Sequence, residues 1–372
     1  MNFALSTIAW VEAMAKTEVK RQWWKIWETI DRLVQFSWDE DLIAKVNLWS
    51  RVWNKLYIAL WEKENVKTFD DLFDFISEID WKKYFKNKHP ILIRSSSARS
   101  ELFSDRTIQS ICKKAVIKSL VWEWQFYDEN EKLEKMDILI LIINDKARIL
   151  LNTTWNALHM RWYRQESWEA PIKESLAAAM IMSSNWLFKE NFYDPFCWSW
   201  TIAIEAAMQA KNIAPWLHRN FAFEWLDLID PKILETEKNL ARKKIYNWDY
   251  KIFASDNDPE VLQIAKNNAK LAWVDDVIKF EIKDFSEYLQ ENWWWKMSWN
   301  LVTNPPYWDR LEVKDLNNLY RKIDQVFQQN PDLKWWFISN FFEFDYLVKD
   351  GDYKKRKLYN WGEKCYFWKK VI

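Results

Sequence analysis

Thirty tryptophans and two glycines in 372 residues constrain this chain more than any motif it contains. A chain of this length needs positive φ at turns, helix ends and close backbone approaches, and glycine alone supplies it without steric cost. Together the two residue types make up about 9% of the chain, which is an ordinary content for glycine by itself. Many of the tryptophans fall where the chain is expected to turn: Trp248 in YNWDY, Trp273 in KLAWVDD and Trp308 after NPPY. The run Trp293-Trp294-Trp295 lies between polar residues, where an apolar triple would be badly exposed. The expectation is that UGA codons are read as glycine in the cell of origin and as tryptophan in the written chain. Trp49, Trp81, Trp186 and Trp368 are expected to be true tryptophans, because each lies within an apolar or aromatic segment.

The length predicts two or three domains. Lys+Arg and Asp+Glu balance at 54 each, so no global basic field advertises nucleic acid, and contacts to RNA must come from local patches. Cys112, Cys197 and Cys365 are far apart with no CxxC and no paired histidines, which indicates neither a metal site nor a disulfide framework. The first residues have no basic stretch leading into a long apolar run, and no uncharged segment approaches the length of a membrane span. The chain is therefore expected in the cytoplasm, with no membrane partner.

Two rhythms divide the sequence. HPILIRSSSARS, DRTIQSICKKAVIKSLV and KMDILILIINDKARILLNTT read as strand, helix, then two strands, an α+β unit. From about residue 171 helices and strands alternate: IKESLAAAMIMSSNWL, NFYDPFC, TIAIEAAMQAK, YKIFASD, PEVLQIAKNNAKLA, VIKFEIKDF and WNLVTNPP. That alternation predicts an α/β fold, a doubly wound parallel sheet with helices on both faces.

The strand ends carry the chemistry. DPFCWSWT puts Asp194, Cys197, Trp198, Ser199, Trp200 and Thr201 between a strand and a helix. With glycine at 198 and 200 it becomes a loop against which a cofactor can lie, whereas two indoles would block it. Asp256 and Asn257 follow the second strand, where an acid hydrogen-bonds ribose hydroxyls; the adjacent Asp258-Pro259-Glu260 reads as a helix start. Asp284 and Phe285 follow the third, suited to an adenine amino group and ring face. The fourth ends in Asn304-Pro305-Pro306-Tyr307. The two prolines stiffen the backbone so that the Asn304 side-chain oxygen and the Pro305 carbonyl can both accept from one planar amine, while Tyr307 offers a stacking face.

At these residues the chain resembles class I S-adenosylmethionine-dependent methyltransferases that act on nitrogen. More narrowly, it resembles the bacterial 23S ribosomal RNA guanine-N2 methyltransferases with an N-terminal THUMP domain. The resemblance extends through FALSTIAW, SELFSDRTIQSICKKAVI, NALHMRWYRQESWEAPIKESLAAAMI and NIAPWLHRNFAFE. It implies a Rossmann-like methyltransferase domain over 156–372, preceded by a ferredoxin-like part over 1–60 and a THUMP RNA-binding domain over 61–155. S-adenosylmethionine is the implied cofactor, and large-subunit ribosomal RNA the implied partner. Arg94, Arg99, Arg106, Lys113 and Lys114 around the THUMP helix, and Arg161 and Arg164 in the junction, are the expected phosphate contacts. Transfer RNA is the alternative substrate. If Trp198 and Trp200 are real, the alternative is a non-catalytic RNA-binding assembly factor; a DNA amine methyltransferase shares NPPY but not the first half.

Overall fold

The structure, a computed structural model, describes the chain apart from residues 8–10, 22–25, 31–32, 38, 40–41, 85–87, 122–126, 159, 165–171, 198–199, 227, 289–298, 307–312, 331–332, 349–351, 361–362 and 372. It divides into two compact units, one of residues 1–7, 16–157 and 217–240, the other of residues 8–15, 158–216 and 241–372.

The elements up to residue 152 are β1 (Asn2–Thr7), α1 (Glu12–Arg21), β2 (Ile26–Ile30), β3 (Leu33–Ser37), α2 (Leu42–Trp49), β4 (Trp53–Lys63), α3 (Phe69–Ser77), β5 (Ile91–Ala98), α4 (Asp105–Leu120), β6 (Met136–Ile143) and β7 (Lys146–Asn152). Their strands form one sheet in the order β2-β3-β1-β4-β7-β6-β5. Thr68 and Asp71 exchange side-chain-to-backbone hydrogen bonds of 3.1 and 3.0 Å at the start of α3, satisfying two donors that a helix start leaves orphaned. α4 turns Ile108, Cys112, Ala115 and Val116 inward, the three-and-four spacing of a one-sided helix. The expected boundary at residue 60 falls within β4, which pairs with β1 on one side and β7 on the other. The ferredoxin-like and THUMP stretches share a continuous sheet.

The later elements are α5 (Glu174–Ser184), β8 (Asn191–Asp194), α6 (Thr201–Ala210), α7 (Lys232–Lys243), β9 (Ile252–Asp256), α8 (Pro259–Leu271), β10 (Ile278–Ile282), α9 (Phe285–Tyr288), β11 (Trp299–Thr303), α10 (Val313–Gln329), β12 (Lys334–Ser339), α11 (Phe344–Leu347), β13 (Tyr353–Asn360) and β14 (Glu363–Lys370). The second sheet has the order β10-β9-β8-β11-β12-β14-β13. Its first five strands are mutually parallel, and β14 runs antiparallel to both neighbours. Strand order reverses between β8 and β11, the place where sheets of this kind bind ligands beyond their carboxyl ends. The segment 217–240 lies between α6 and β9 in sequence but clusters with the first unit. There the Phe223 amide donates to the Thr153 carbonyl at 3.1 Å and Arg219 to the Thr154 carbonyl at 2.8 Å. The expected methyltransferase stretch 156–372 includes this segment.

Candidate active site

Parallel register brings the expected strand-end residues to one edge. β8 ends at Asp194, β9 at Asp256 and β11 at Thr303, directly before Asn304, while Asp284 follows the end of β10 by two residues. Asp194 pairs in register with Ala254 and Asp256 with Ile282, so the acids step outward along the edge.

Two hydrogen bonds tie this edge together. The Thr303 hydroxyl donates to Asp194 Oδ1 at 2.6 Å, and the hydroxyls of Tyr193 and Ser255 lie 2.7 Å apart. Burial pushes the Asp194 carboxyl up to about 7, against the lowering effect of the Thr303 hydroxyl and the Phe196 amide, with Asp256 raising it further. Burial likewise raises the Cys197 thiol well above its ordinary value, helped by Asp194 and Asp256. Asn304 is 3% exposed, and its side-chain oxygen has no hydrogen-bond partner among the described residues. The hydroxyl of Tyr320 on α10 donates to the Pro306 carbonyl at 3.4 Å and lies 2.5 Å from the Ser339 hydroxyl, which anchors the proline pair from behind. Tyr307 and Trp308 lie outside the described residues.

The loop between β8 and α6 is built for a residue that can reach the left-handed region. Trp200 is the N-cap of α6 with φ 42° and ψ −6°, and it is 1% exposed; Trp198 and Ser199 lie outside the described residues. Trp155 and Trp273 also have positive φ, at 63° and 60°. The remaining positive-φ residues other than glycine, among those described, are Asn65, Asn144, Asn185, Asn212, Asp145 and Arg99. Asn and Asp tolerate that region; for a bulky side chain it is an outlier. Trp155, Trp335, Trp336 and Trp368 also leave buried indole N–H groups without hydrogen-bond partners among the described residues. Trp81 and Trp186 donate to the carbonyls of Ile76 and Glu190, each at 3.0 Å, as suits true tryptophans. Trp368 has no such partner among the described residues but stacks on Phe337, and Trp49 is half-buried. Trp248 is 72% exposed and has no positive φ, so the backbone does not require glycine there.

The RMKL-like methyltransferase domain family matches residues 161–364, and the THUMP domain family matches residues 66–151. The "Putative RNA methyltransferase YpsC" of Bacillus subtilis is 34% identical over 91% of this chain and 88% of its own length. The chain belongs to the RMKL-like methyltransferase family. A "Ribosomal RNA large subunit methyltransferase K/L" of Psychromonas ingrahamii is 29% identical over 88% of the chain, which spans 44% of that relative's length. A possible methylase from Clostridium difficile 630 has the same fold, with a TM-score of 0.91 at 34% identity, covering 99% of this chain and 97% of its own. SMU.472, a putative methyltransferase complexed with SAH, gives 0.88 at 31% identity, covering 100% of this chain and 97% of its own.

S-adenosylmethionine is the cofactor of this methyltransferase, and most of the edge fits it. Asp256 is half-buried at the end of β9, where ribose hydroxyls are recognised, and Asn257 and Asp284 are exposed. Two positions do not fit as written. Trp200 has the left-handed φ that suits glycine before α6, and its buried indole N–H lies 2.9 Å from the Asn268 side-chain amide on α8. Phe285 is 5% exposed, packed on Phe196 and edge-on to Trp335; its ring serves the core rather than an open adenine face. Thr201 is buried, and Arg164 donates to its hydroxyl at 2.7 Å and to the Ile172 carbonyl at 2.9 Å.

Arg164 and Arg161 are corrected as phosphate contacts. Arg164 also lies 3.4 Å from Glu174. The Arg161 side chain is fully buried, 2.9 Å from Glu205, with Tyr163 donating to the same carboxylate at 3.2 Å. A guanidinium enclosed this way holds the junction onto α6 and cannot reach RNA. Around α4, Arg94 is bound to Asp137 at 3.0 Å and Lys113 to Glu129 at 2.7 Å. Arg99, Arg106 and Lys114 are exposed and carry no ion pair among the described residues. Sequence reasoning missed Thr303, Tyr320 and Ser339. Thr303 adjoins the NPPY motif and was findable from it, whereas Tyr320 and Ser339 are brought in only by packing.

Proposed function

We propose that this methyltransferase transfers a methyl group to the exocyclic N2 amine of a guanine in large-subunit ribosomal RNA, with glycine in the cell at positions 198 and 200. The observation that carries the reading is the buried side-chain oxygen of Asn304 at the carboxyl end of β11, which has no hydrogen-bond partner among the described residues. Leaving a buried acceptor unpaired costs about 1–3 kcal/mol, and a planar amine on the substrate removes that cost. The THUMP match and the relatives named as RNA and ribosomal RNA methyltransferases support RNA as the substrate. Action in the cytoplasm belongs to the same reading.

The target base leaves its stack to reach this edge, at a cost of a few kcal/mol. Tyr307 recovers part of that by stacking, about 1–3 kcal/mol. When bound, S-adenosylmethionine supplies an electrophilic methyl group on a positively charged sulfur. The Asn304 oxygen and the Pro305 carbonyl accept the two amine protons. These bonds oppose delocalisation of the nitrogen lone pair into the ring and aim it for in-line displacement. No strong base is required, because the nitrogen becomes acidic only after it has gained the methyl, and its proton then passes to water. Tyr320 holds the proline pair, and with it the second acceptor, in place.

The test is single-turnover methylation of ribosomal RNA by protein with glycine at 198 and 200. Asn304→Ala is expected to slow it by roughly 10²-fold or more, with cofactor affinity by calorimetry nearly intact. Methylation by this variant at the parent rate removes Asn304 from the chemistry. Mapping the product nucleotide tests the rest: a methyl on transfer RNA alone, or away from guanine N2, overturns the substrate assignment.

A further inference from the structure

The β13–β14 hairpin concentrates charge that the rest of the chain cancels. Between residues 353 and 370 there are seven Lys and Arg against one Glu, although the whole chain has no formal net charge. Because β14 is antiparallel to both neighbours, β13 runs the same way as β12 and β11. The end of β13 and the start of β14 therefore lie on the same edge of the sheet as Asn304. With strands about 4.8 Å apart, β14 stands about 10 Å from β11.

Register defines one face of the hairpin. Lys357 pairs with Tyr366 and Tyr359 with Lys364, so these four side chains share a face. Lys357 Nζ lies 5.2 Å from the Tyr359 ring centre, and Lys364 Nζ lies 5.2 Å from Tyr366 and 5.1 Å from Phe342. Phe342 follows the end of β12, meets Tyr366 at 5.5 Å and is 40% exposed. On the opposite face Lys354 and Arg356 are exposed. Of the acids nearby, Asp345 holds Lys355 and Glu363 accepts from Asn340 at 3.3 Å, while the buried Oε2 of Glu343 has no hydrogen-bond partner among the described residues.

We infer that this hairpin is an RNA-binding platform that holds the single-stranded nucleotides flanking the target base. Rings that stack on bases of any sequence, interleaved with cations that follow the phosphates, are what single-strand recognition requires. An extruded base at the Asn304 edge leaves its neighbours unstacked within reach of these rings. The inference rests on RNA as the substrate class and adds a surface to it, outside the THUMP unit.

The test uses the full chain and a twelve-nucleotide oligouridylate, with binding measured across a salt series and no methyl transfer required. Lys357→Gln combined with Lys364→Gln is expected to weaken binding about tenfold near physiological salt. It should also flatten the dependence of log affinity on log salt by about 1.4, because single strands contribute about 0.7 per phosphate contact. Phe342→Leu with Tyr359→Leu should weaken binding several-fold with the slope unchanged, since stacking releases no counterions. Unchanged calorimetric cofactor binding in both variants confirms folding. Affinity and slope equal to the parent in the lysine variant overturn the platform, as does equal binding to a fully paired RNA duplex. Loss of activity in Asn304→Ala is independent of either result, so failure of the platform and failure of the active-site reading remain distinguishable.

Discussion

Helices α6 and α8 end in the same way with different residues. After α6 the Asn212 amide donates to the Gln209 carbonyl and Ile213 to Met208, at 3.2 and 2.9 Å; after α8 the Trp273 amide donates to Lys270 and Val274 to Ala269, both at 3.0 Å. In each case the residue past the helix sits in the left-handed region, with φ 55° at Asn212 and 60° at Trp273. This paired pattern closes the carbonyls of the last turn and most often has glycine at its left-handed position. Asparagine is a known substitute; a tryptophan there pushes its Cβ against the following carbonyl. The comparison teaches that the backbone requirement belongs to the fold, and that the written residue fails it at one helix end and meets it at the other. Trp200, at the entrance of α6, is the same mismatch, with φ 42°.

The largest effect is expected at that entrance. Protein with Trp198→Gly and Trp200→Gly should bind S-adenosylmethionine in calorimetry, whereas the chain as written should show none; equal affinity in both would mean the cofactor lies elsewhere. Next is Asp194, at the end of β8 just ahead of the same loop. Its folded carboxyl titrates near 7, above the unfolded value of about 3.9, so between those limits the folded state binds the extra proton. Stability should therefore fall as pH rises from 4 to 7 and level off above. Asp194→Asn should remove this slope from thermal unfolding measured across pH 4–8; a slope retained in the variant would place its origin in another group.

The helix ends themselves give a smaller change. Trp273→Gly should stabilise by about 1 kcal/mol, the left-handed penalty less the greater chain entropy of glycine, while Asn212→Gly should shift stability by less than about 0.5 kcal/mol. Denaturant midpoints of the two variants side by side would break the comparison if they moved together. Trp248→Gly is expected to matter least, within about 0.5 kcal/mol, because the residue is exposed and its φ is ordinary. Codons at these positions, or the intact mass of protein from its native cell, test the decoding directly. UGG codons at 198, 200 and 273 would end the glycine reading.

The strand ends of the second unit were legible because their signals are local. Asp194, Asp256, Asp284 and Asn304 each close an apolar run, and alternation of helix and strand puts such ends on one edge. The first half was less legible. The stretches in 91–152 carry clean periodicity, but β1 to β4 offer short runs broken by charges and tryptophans, and their union with THUMP strands in one sheet comes from β4 pairing on both sides. Arg161 and Arg164 were harder to read for a related reason: an arginine in a polar segment looks like a phosphate contact until Glu205, 44 residues away in sequence, encloses Arg161, and Glu174 and Thr201 hold Arg164.

The sequence by itself determined which residue types close each strand, where the NPPY motif falls, and that a chain needing positive φ at many turns carries only two glycines. These are properties of neighbours along the chain, so spacing reports them. Only the tertiary structure decided that the Asn304 oxygen is buried without a hydrogen-bond partner among the described residues, that Trp200 is buried with a left-handed φ before α6, that Arg161 and Arg164 face inward, and that a basic, aromatic hairpin shares the sheet edge of Asn304. Each depends on burial and pairing between segments far apart in sequence, where a side chain's role is set by what packs over it rather than by what precedes it.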